Sequence, residues 1–536
     1  MLNSSNRRSN ALQTIIGLFL HAAQAPETVH ELMARLGLAI STTTTHKSIN
    51  SLAIQAKQEL RSFGQTGRVL YAFDNVDIYL RHSTPVITNT EALIHLTSAI
   101  ALPLNGGMTE SLCCYTELQN KMRHFAGLRA QGRAPLSPEL LLKLFREPPI
   151  THPSGLRRQH RFYLYMFLRD LIRYGPSNFS HFINNLEQPE VVEEIPLMKT
   201  EYKPLTTLDI NPSTVGGNAD VLASIFQQAG IGDSTENPHV QDIGENVVLV
   251  SGDLLTGERI RSLQESRSIE ATQWRRLDFV IFVMGLFHFK MACADAIWRL
   301  FINAPKSRTD PTSLINMIGQ IRPRETGKYT SGPSFRALHE AIQHVGAILR
   351  LDCWRLEAKE LDPAFLSLEA FANSNPSWDD LVAMAIRMST KYVGDAEKIS
   401  SLRNEILEER DEQFENNLIL QYHLLLYEET SYAMNMGDIG QLESLFCSWI
   451  FIFNCCGKNK YASELRMYLE NIHFIYPKEI RLVDQKTFIL APKSDQNVSN
   501  AIRMNILCNP TGKRGSFRAI DWVVEHHNFF LKVSRW

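Results

Sequence analysis

The chain has 536 residues, 44% hydrophobic, 21% charged and 9% aromatic, enough for about three to four domains of roughly 150 residues or one elaborated domain, and nothing in the mixture is collagenous, disulfide-dense or disordered. Lys+Arg 55 against Asp+Glu 57 leaves a net charge of -2, which excludes a chain coated in basic charge for nucleic acid, so any such surface must be local.

Eight cysteines contain no C-x-x-C pair, and the doublets Cys113-Cys114 and Cys455-Cys456 do not have zinc-knuckle spacing, so they read as reduced core thiols of an intracellular protein. No run reaches the roughly 18 apolar residues of a membrane helix. The best candidate, residues 277–298, is broken by His288, Lys290 and Asp295 and reads as a buried strand running into a helix. No membrane partner is therefore expected. Arg7, Arg8, the apolar ALQTIIGLFL and AAQA before Pro26 imitate a signal peptide, but Gln13 and Thr14 interrupt the run. Ile15, Ile16, Phe19 and Leu20 have the spacing of an amphipathic helix instead.

Residues 1–66 form a helical unit, with helices predicted around 11–24, from PETVHELMARLG and from TTTTHKSINSLAIQAKQELRSFG. Pro26 suits the opening of the second helix, Gly37 its stop, and Ser41 or Thr42 the cap of the third. A helix, a short turn after Gly and a polar, basic helix start is the silhouette of helix-turn-helix, in which His46 and Lys47 would meet DNA; a plain helical hairpin gives the same pattern.

From 68 the period becomes that of strands, RVLYAFDNVDIYL and then PVITNTEALIHLTSAIALPL, with Asp74 and Asp77 at the end of the first. A mostly helical insertion is expected at about 105–215, with prolines at 135, 138, 148, 149 and 153. Its basic cluster Arg157, Arg158, His160 and Arg161 is either a solvated helix start or a phosphate-contacting patch. From 219 the order is helix, strand, helix, strand, helix, and runs such as VVLV and FVIFVMGLF lack alternation, as strands covered on both faces do. This predicts an α/β core over 67–304, a helical insertion over 305–410, and a carboxyl-terminal helical part, 411–536, completing the core. Strands near 68–80, 92–103, 246–251 and 278–285 should share one mixed sheet, the first pair antiparallel and the last parallel.

Acids are rarely buried unless paired or bound to a cation. Asp74 ends the strand VLYAF, Asp253 follows VVLVSG, and Glu429 lies in a long apolar helix. An antiparallel hairpin with an acid on its first strand, a second acid after a later strand and a third on a late helix is the order of the ribonuclease-H-like fold. Its members gather carboxylates around two divalent ions for in-line phosphoryl transfer, and Mg²⁺ or Mn²⁺ suits such oxygen donors. The plainer alternatives are that Asp253 caps a helix, that Asp74 merely ends a strand, and that His288 is a satisfied core histidine.

The stretches QTIIGLFLHA, YAFDNVDIYL, SGDLLTGERI, GLFHFKMACADAIWRLF, LLYEETSYAMNMGDIGQLE, KNKYA and NPTGKRGSFRAIDWVVE together resemble the domain of unknown function 6589 family of fungi, whose members resemble transposase-derived RNase H-like proteins. The resemblance implies that the family's DN-x-D aspartate falls on Asp74, its GD-x-x-T aspartate on Asp253, its F-H histidine on His288, and the acid before GDIG on Glu429, with Asp438 inside GDIG. It also implies a longer amino-terminal region and a continuation past KVSRW, so a shortened copy is expected.

The function expected is Mg-dependent DNA strand cleavage or transfer by Asp74, Asp253 and Glu429, supported by Asp77, His288 and Asp438, with His46, Lys47, Arg157, Arg158 and Arg161 on DNA. The location expected is intracellular, the nucleus ahead of the cytoplasm. The alternative is a non-catalytic domesticated or decayed copy that acts as a binding module. GNAD and SGDLLTGER contain neither Walker A nor G-x-G-x-x-G spacing, so no nucleotide cofactor is expected.

Overall fold

The computed structural model describes residues 10–80, 92–104, 112–132, 143, 152–406, 408–476 and 498–533. In chain order the amino-terminal helices are α1 (Ala11–Ala22), α2 (Glu27–Arg35) and α3 (Thr42–Gly64). Strands β1 (Val69–Leu80) and β2 (Ala92–Pro103) follow, then α4 (Tyr115–Ala130), α5 (Arg158–Tyr174), β3 (Lys203–Pro204) and α6 (Val215–Ala229). The alternating part is β4 (Val248–Gly252), α7 (Leu254–Ser266), β5 (Val280–Met284) and α8 (Leu286–Phe301). Beyond it lie α9 (Phe335–Leu361), α10 (Trp378–Lys391), α11 (Glu412–Met436), α12 (Ile439–Cys455), α13 (Asn459–Glu470), α14 (Val498–Asn505) and α15 (Ile520–Val533).

One mixed sheet organises these elements, in the order β3-β2-β1-β4-β5. β1 and β2 pair antiparallel over their whole length, β4 runs parallel to β1, and β5 runs parallel to β4. The four strands expected from the sequence thus share one sheet in the expected senses, which makes the protein mixed α/β. Residues 85–91 of the expected second strand, and Pro135, Pro138, Pro148 and Pro149, lie outside the described residues. β3 had no sequence signature, being two residues long with a proline at the sheet edge, where a missing N–H costs nothing.

Both faces of the sheet are covered, which explains the unbroken apolar runs of β4 and β5. Leu70 and Ala72 of β1 pack with Leu249, Phe289 of α8 and Val524 of α15 on one side. Val69, Tyr71 and Phe73 pack with Leu60 of α3, Phe226 of α6 and Ile260 of α7 on the other. The amino-terminal unit is therefore anchored by the end of α3, where Gly64 lies so close to α6 that a Cβ would stand 2.3 Å from the Ala229 carbonyl oxygen. At the other end of α3 the Ser41 hydroxyl accepts the Thr44 N–H, as its cap position predicts.

Helix α5 packs against helices α9 and α10 in a core of their own. Phe162, Met166 and Phe167 of α5 share a core with Trp354 of α9 and Met384 of α10. At its edge the fully buried Arg350 guanidinium donates to Asp170 (2.6 Å) and to both oxygens of Glu428 (2.7 and 2.9 Å), tying α5, α9 and α11 together. Among the described residues no helix is long and apolar enough to cross a membrane.

Candidate active site

Strand register explains why two distant acids meet. Ala72 of β1 stands beside Ser251 of β4, so two residues on, where β4 has just ended, Asp74 and Asp253 fall side by side on the face that carries α8 and α15. Asp253 also begins α7, its Oδ1 accepting the Thr256 N–H at 2.7 Å. Both readings of Asp253 are thus compatible, since a carboxylate has a second oxygen. Asp74 accepts the Asn75 N–H at 2.8 Å and Nδ2 of Asn528 at 3.2 Å, while the buried Asn528 amide oxygen accepts the Ser98 hydroxyl across β2.

α8 enters the same place from β5. Gly285 links the two, and a Cβ there would lie 2.4 Å from Asp521 Oδ2 and 2.6 Å from the Gly252 carbonyl oxygen, so only glycine fits. Asp521, at the start of α15, caps α8 by accepting the N–H groups of Phe287 and His288 at 3.0 Å each. It also holds His288 Nδ1 at 2.9 Å. That leaves Nε2 directed at Glu525, one turn further along α15, 4.0 Å away. Asp521 is buried, whereas Glu525 is 42% exposed and His288 24% exposed, so the cluster opens to solvent on one side.

Acid is in excess here. Burial, reinforced by the charges of Glu525 and Asp253, pushes the Asp74 carboxyl up to about 7, although the Asn75 N–H and His288 pull the other way. Burial alone would lower His288, but the hydrogen bond and charge of Asp521, with Asp74 and Asp253 behind it, hold it up to about 9. At neutral pH the histidine is an imidazolium set among four carboxyl groups. All the acids offer the hard oxygen donors that Mg²⁺ or Mn²⁺ takes. Even so, among the described residues no three His, Cys, Asp or Glu side chains stand grouped closely enough to hold an ion.

The other sequence-derived candidates are placed elsewhere. Glu429 is buried beneath helices, where its Oε1 receives Arg158 Nη1 at 3.1 Å and Gln441 Nε2 at 2.9 Å. The reason is helical phase, since the acid that α11 buries here faces α5 and α12. Asp438 caps α12 and clamps the N–H groups of Val192 and Glu193, a structural role. Asp77, an odd number of residues from Asp74, points to the opposite face and accepts from His95 at 2.7 Å. Arg158 is turned inward by Glu429 and Ser444, and Arg161 by the Leu156 carbonyl and Glu190. Arg157, His46 and Lys47 are exposed, His46 lying edge-on to His21 at 5.3 Å.

Asp521, Glu525 and Asn528 were not singled out from the sequence. The signal was available: an i, i+4 pair of acids in the apolar helix IDWVVEHHNFF is the same kind of anomaly that drew attention to Glu429.

A family model described as a family of unknown function (DUF6589) matches residues 132–535. The chain belongs to this family. The DUF6589 match takes in Asp253, His288, Asp521 and Glu525, while Asp74 on β1 precedes it. No curated protein and no solved structure matches the chain.

Proposed function

We propose that the chain is a transposase-derived, RNase H-like protein whose Asp74–Asp253 site cleaves or transfers DNA strands. The observation that carries this reading is the register that sets two acids side by side on adjacent parallel strands. The strand order β3-β2-β1-β4-β5 agrees with the RNase H-like arrangement, in which the third acid comes from a late helix. Here that acid is Glu525 on α15 rather than Glu429, because α15 packs on β1 and Glu429 is closed off by Arg158.

Mg²⁺ or Mn²⁺, when bound, would neutralise phosphate charge and activate the attacking water. Asp74, Asp253 and Glu525 would supply the oxygens, Glu525 being exposed enough to turn toward the other two. Asp521 orients His288 so that Nε2 faces the open side, where its proton is available to a leaving oxygen. DNA would reach the site along a local surface, with His46, Lys47 and Arg157 as exposed contacts.

A second reading, a non-catalytic copy that only binds, is favoured by the His288 imidazolium, which already neutralises part of the acid charge. Divalent-ion-dependent nicking of supercoiled DNA by the full chain separates the two. Asp253→Asn should abolish nicking yet keep the fold, because asparagine caps helices as well as aspartate does. The ion at about 100 times its dissociation constant should also stabilise the wild type by roughly 2.7 kcal/mol. Neither nicking nor stabilisation would leave the binding-only copy as the better reading.

A further inference from the structure

Beside His288 opens a cavity of about 300 Å³, the small end of the range for ligand sites. Its walls include Trp298 of α8, Phe335 of α9 and Tyr461 of α13, and its rim carries Lys458 and Asp295, paired at 2.6 Å. It borders the acid cluster through His288, which lines the cavity and is held by Asp521 at 2.9 Å. The aromatic walls are held in place by their own packing. The Phe335 ring meets Phe287 edge-on at 5.5 Å and stacks on His339 at 5.8 Å, and Trp298 Nε1 donates to the Tyr329 carbonyl at 2.6 Å.

We propose that this cavity takes one unstacked nucleobase of the strand whose phosphate lies at Asp74 and Asp253. The inference rests on reading those acids as a phosphodiester site. Pre-set aromatic walls offer a base the stacking it loses on leaving its neighbours, and sequence-tolerant stacking of this kind is how single strands are held. The Asp295–Lys458 pair offers an acceptor and a donor side by side, which suits the polar edge of a base better than a purely apolar ring. The cavity's position next to His288 puts a base adjoining the reacting phosphate within reach.

The test measures equilibrium binding of the full chain to a short single-stranded oligonucleotide in which an abasic site is moved along the strand, with Ca²⁺ as the divalent ion. One position should stand out, its abasic form binding about tenfold more weakly. Phe335→Leu, which keeps apolar bulk but removes the ring, should cost a similar factor on the intact oligonucleotide and nothing on the one already abasic at that position. A flat scan, equal losses on both oligonucleotides, or no binding at all would overturn the proposal. A position-specific loss without nicking by the wild type would sink the phosphodiester reading and leave the base pocket standing, whereas nicking with a flat scan would sink the pocket alone.

Discussion

Two of the charge clusters in this protein are neutralised by opposite means. In the core shared by α5, α9 and α11, Arg350 answers Asp170 and Glu428 with a guanidinium that stays charged at any accessible pH, and each of its three nitrogens donates to a carboxylate oxygen in a buried space. Where β4 ends beside β1, in the middle of the sheet, Asp74, Asp253, Asp521 and Glu525 surround the His288 imidazolium, and one side is open to solvent. The first arrangement is a fastener. The second is under-neutralised and open, so its carboxyl and imidazole groups titrate far from their ordinary values.

Breaking the fastener should give the largest effect. Arg350→Met would leave buried Asp170 with Arg169 alone and buried Glu428 with that same guanidinium 3.9 Å away, and should cost about 3 kcal/mol, measured by urea unfolding. The next effect is pH dependence at the open cluster. His288 binds its proton more tightly folded than unfolded, so the stability it confers is complete below about 6.5 and is lost as pH rises through about 9. Asp74 acts in the same direction between 3.8 and about 7. Unfolding free energies across this range should fall with rising pH, by on the order of 2–3 kcal/mol from His288, and His288→Gln should flatten the upper part of the profile. Smallest is the change at Asp253, where Asn should alter stability by only a few tenths of a kcal/mol, while Ala, which cannot cap α7, should cost about 1 kcal/mol. A large loss with Asn would mean that the charge of Asp253, and not its capping, holds this corner together.

Much of this comparison was legible in the sequence, and the reasons are local. β1 and β2 announce themselves by alternation, β4 and β5 by apolar runs ended by glycine, and Asp253 by sitting where its run stops; Asp74, expected to end its strand, instead lies within β1, which continues to Leu80. The partner of those acids was not legible, because it depends on which late helix returns to β1. Glu429 in α11 and Glu525 in α15 both occupy apolar helices, and local sequence cannot rank them. Packing does so by facing Glu429 toward Arg158 and Glu525 toward His288. The basic cluster shows the same limit, since Arg157 and Arg158 are adjacent in sequence yet one is exposed and the other is turned onto a buried acid.

The hydrogen bond from Asn528 to Asp74 spans 454 residues of sequence. At a synthesis rate of about 5–20 residues per second, roughly 20 to 90 s separate the emergence of the two partners from the ribosome. Throughout that interval β1 has no α15 to cover it, and α8, once made, lacks the aspartate that caps it until Asp521 follows. The acid cluster therefore stays unassembled on a growing chain, and whatever chemistry it performs is withheld until synthesis has passed α15. A nascent chain with an uncovered sheet face is also a natural client for chaperones, so arrest before α15 should yield a species that is both inert and prone to aggregate.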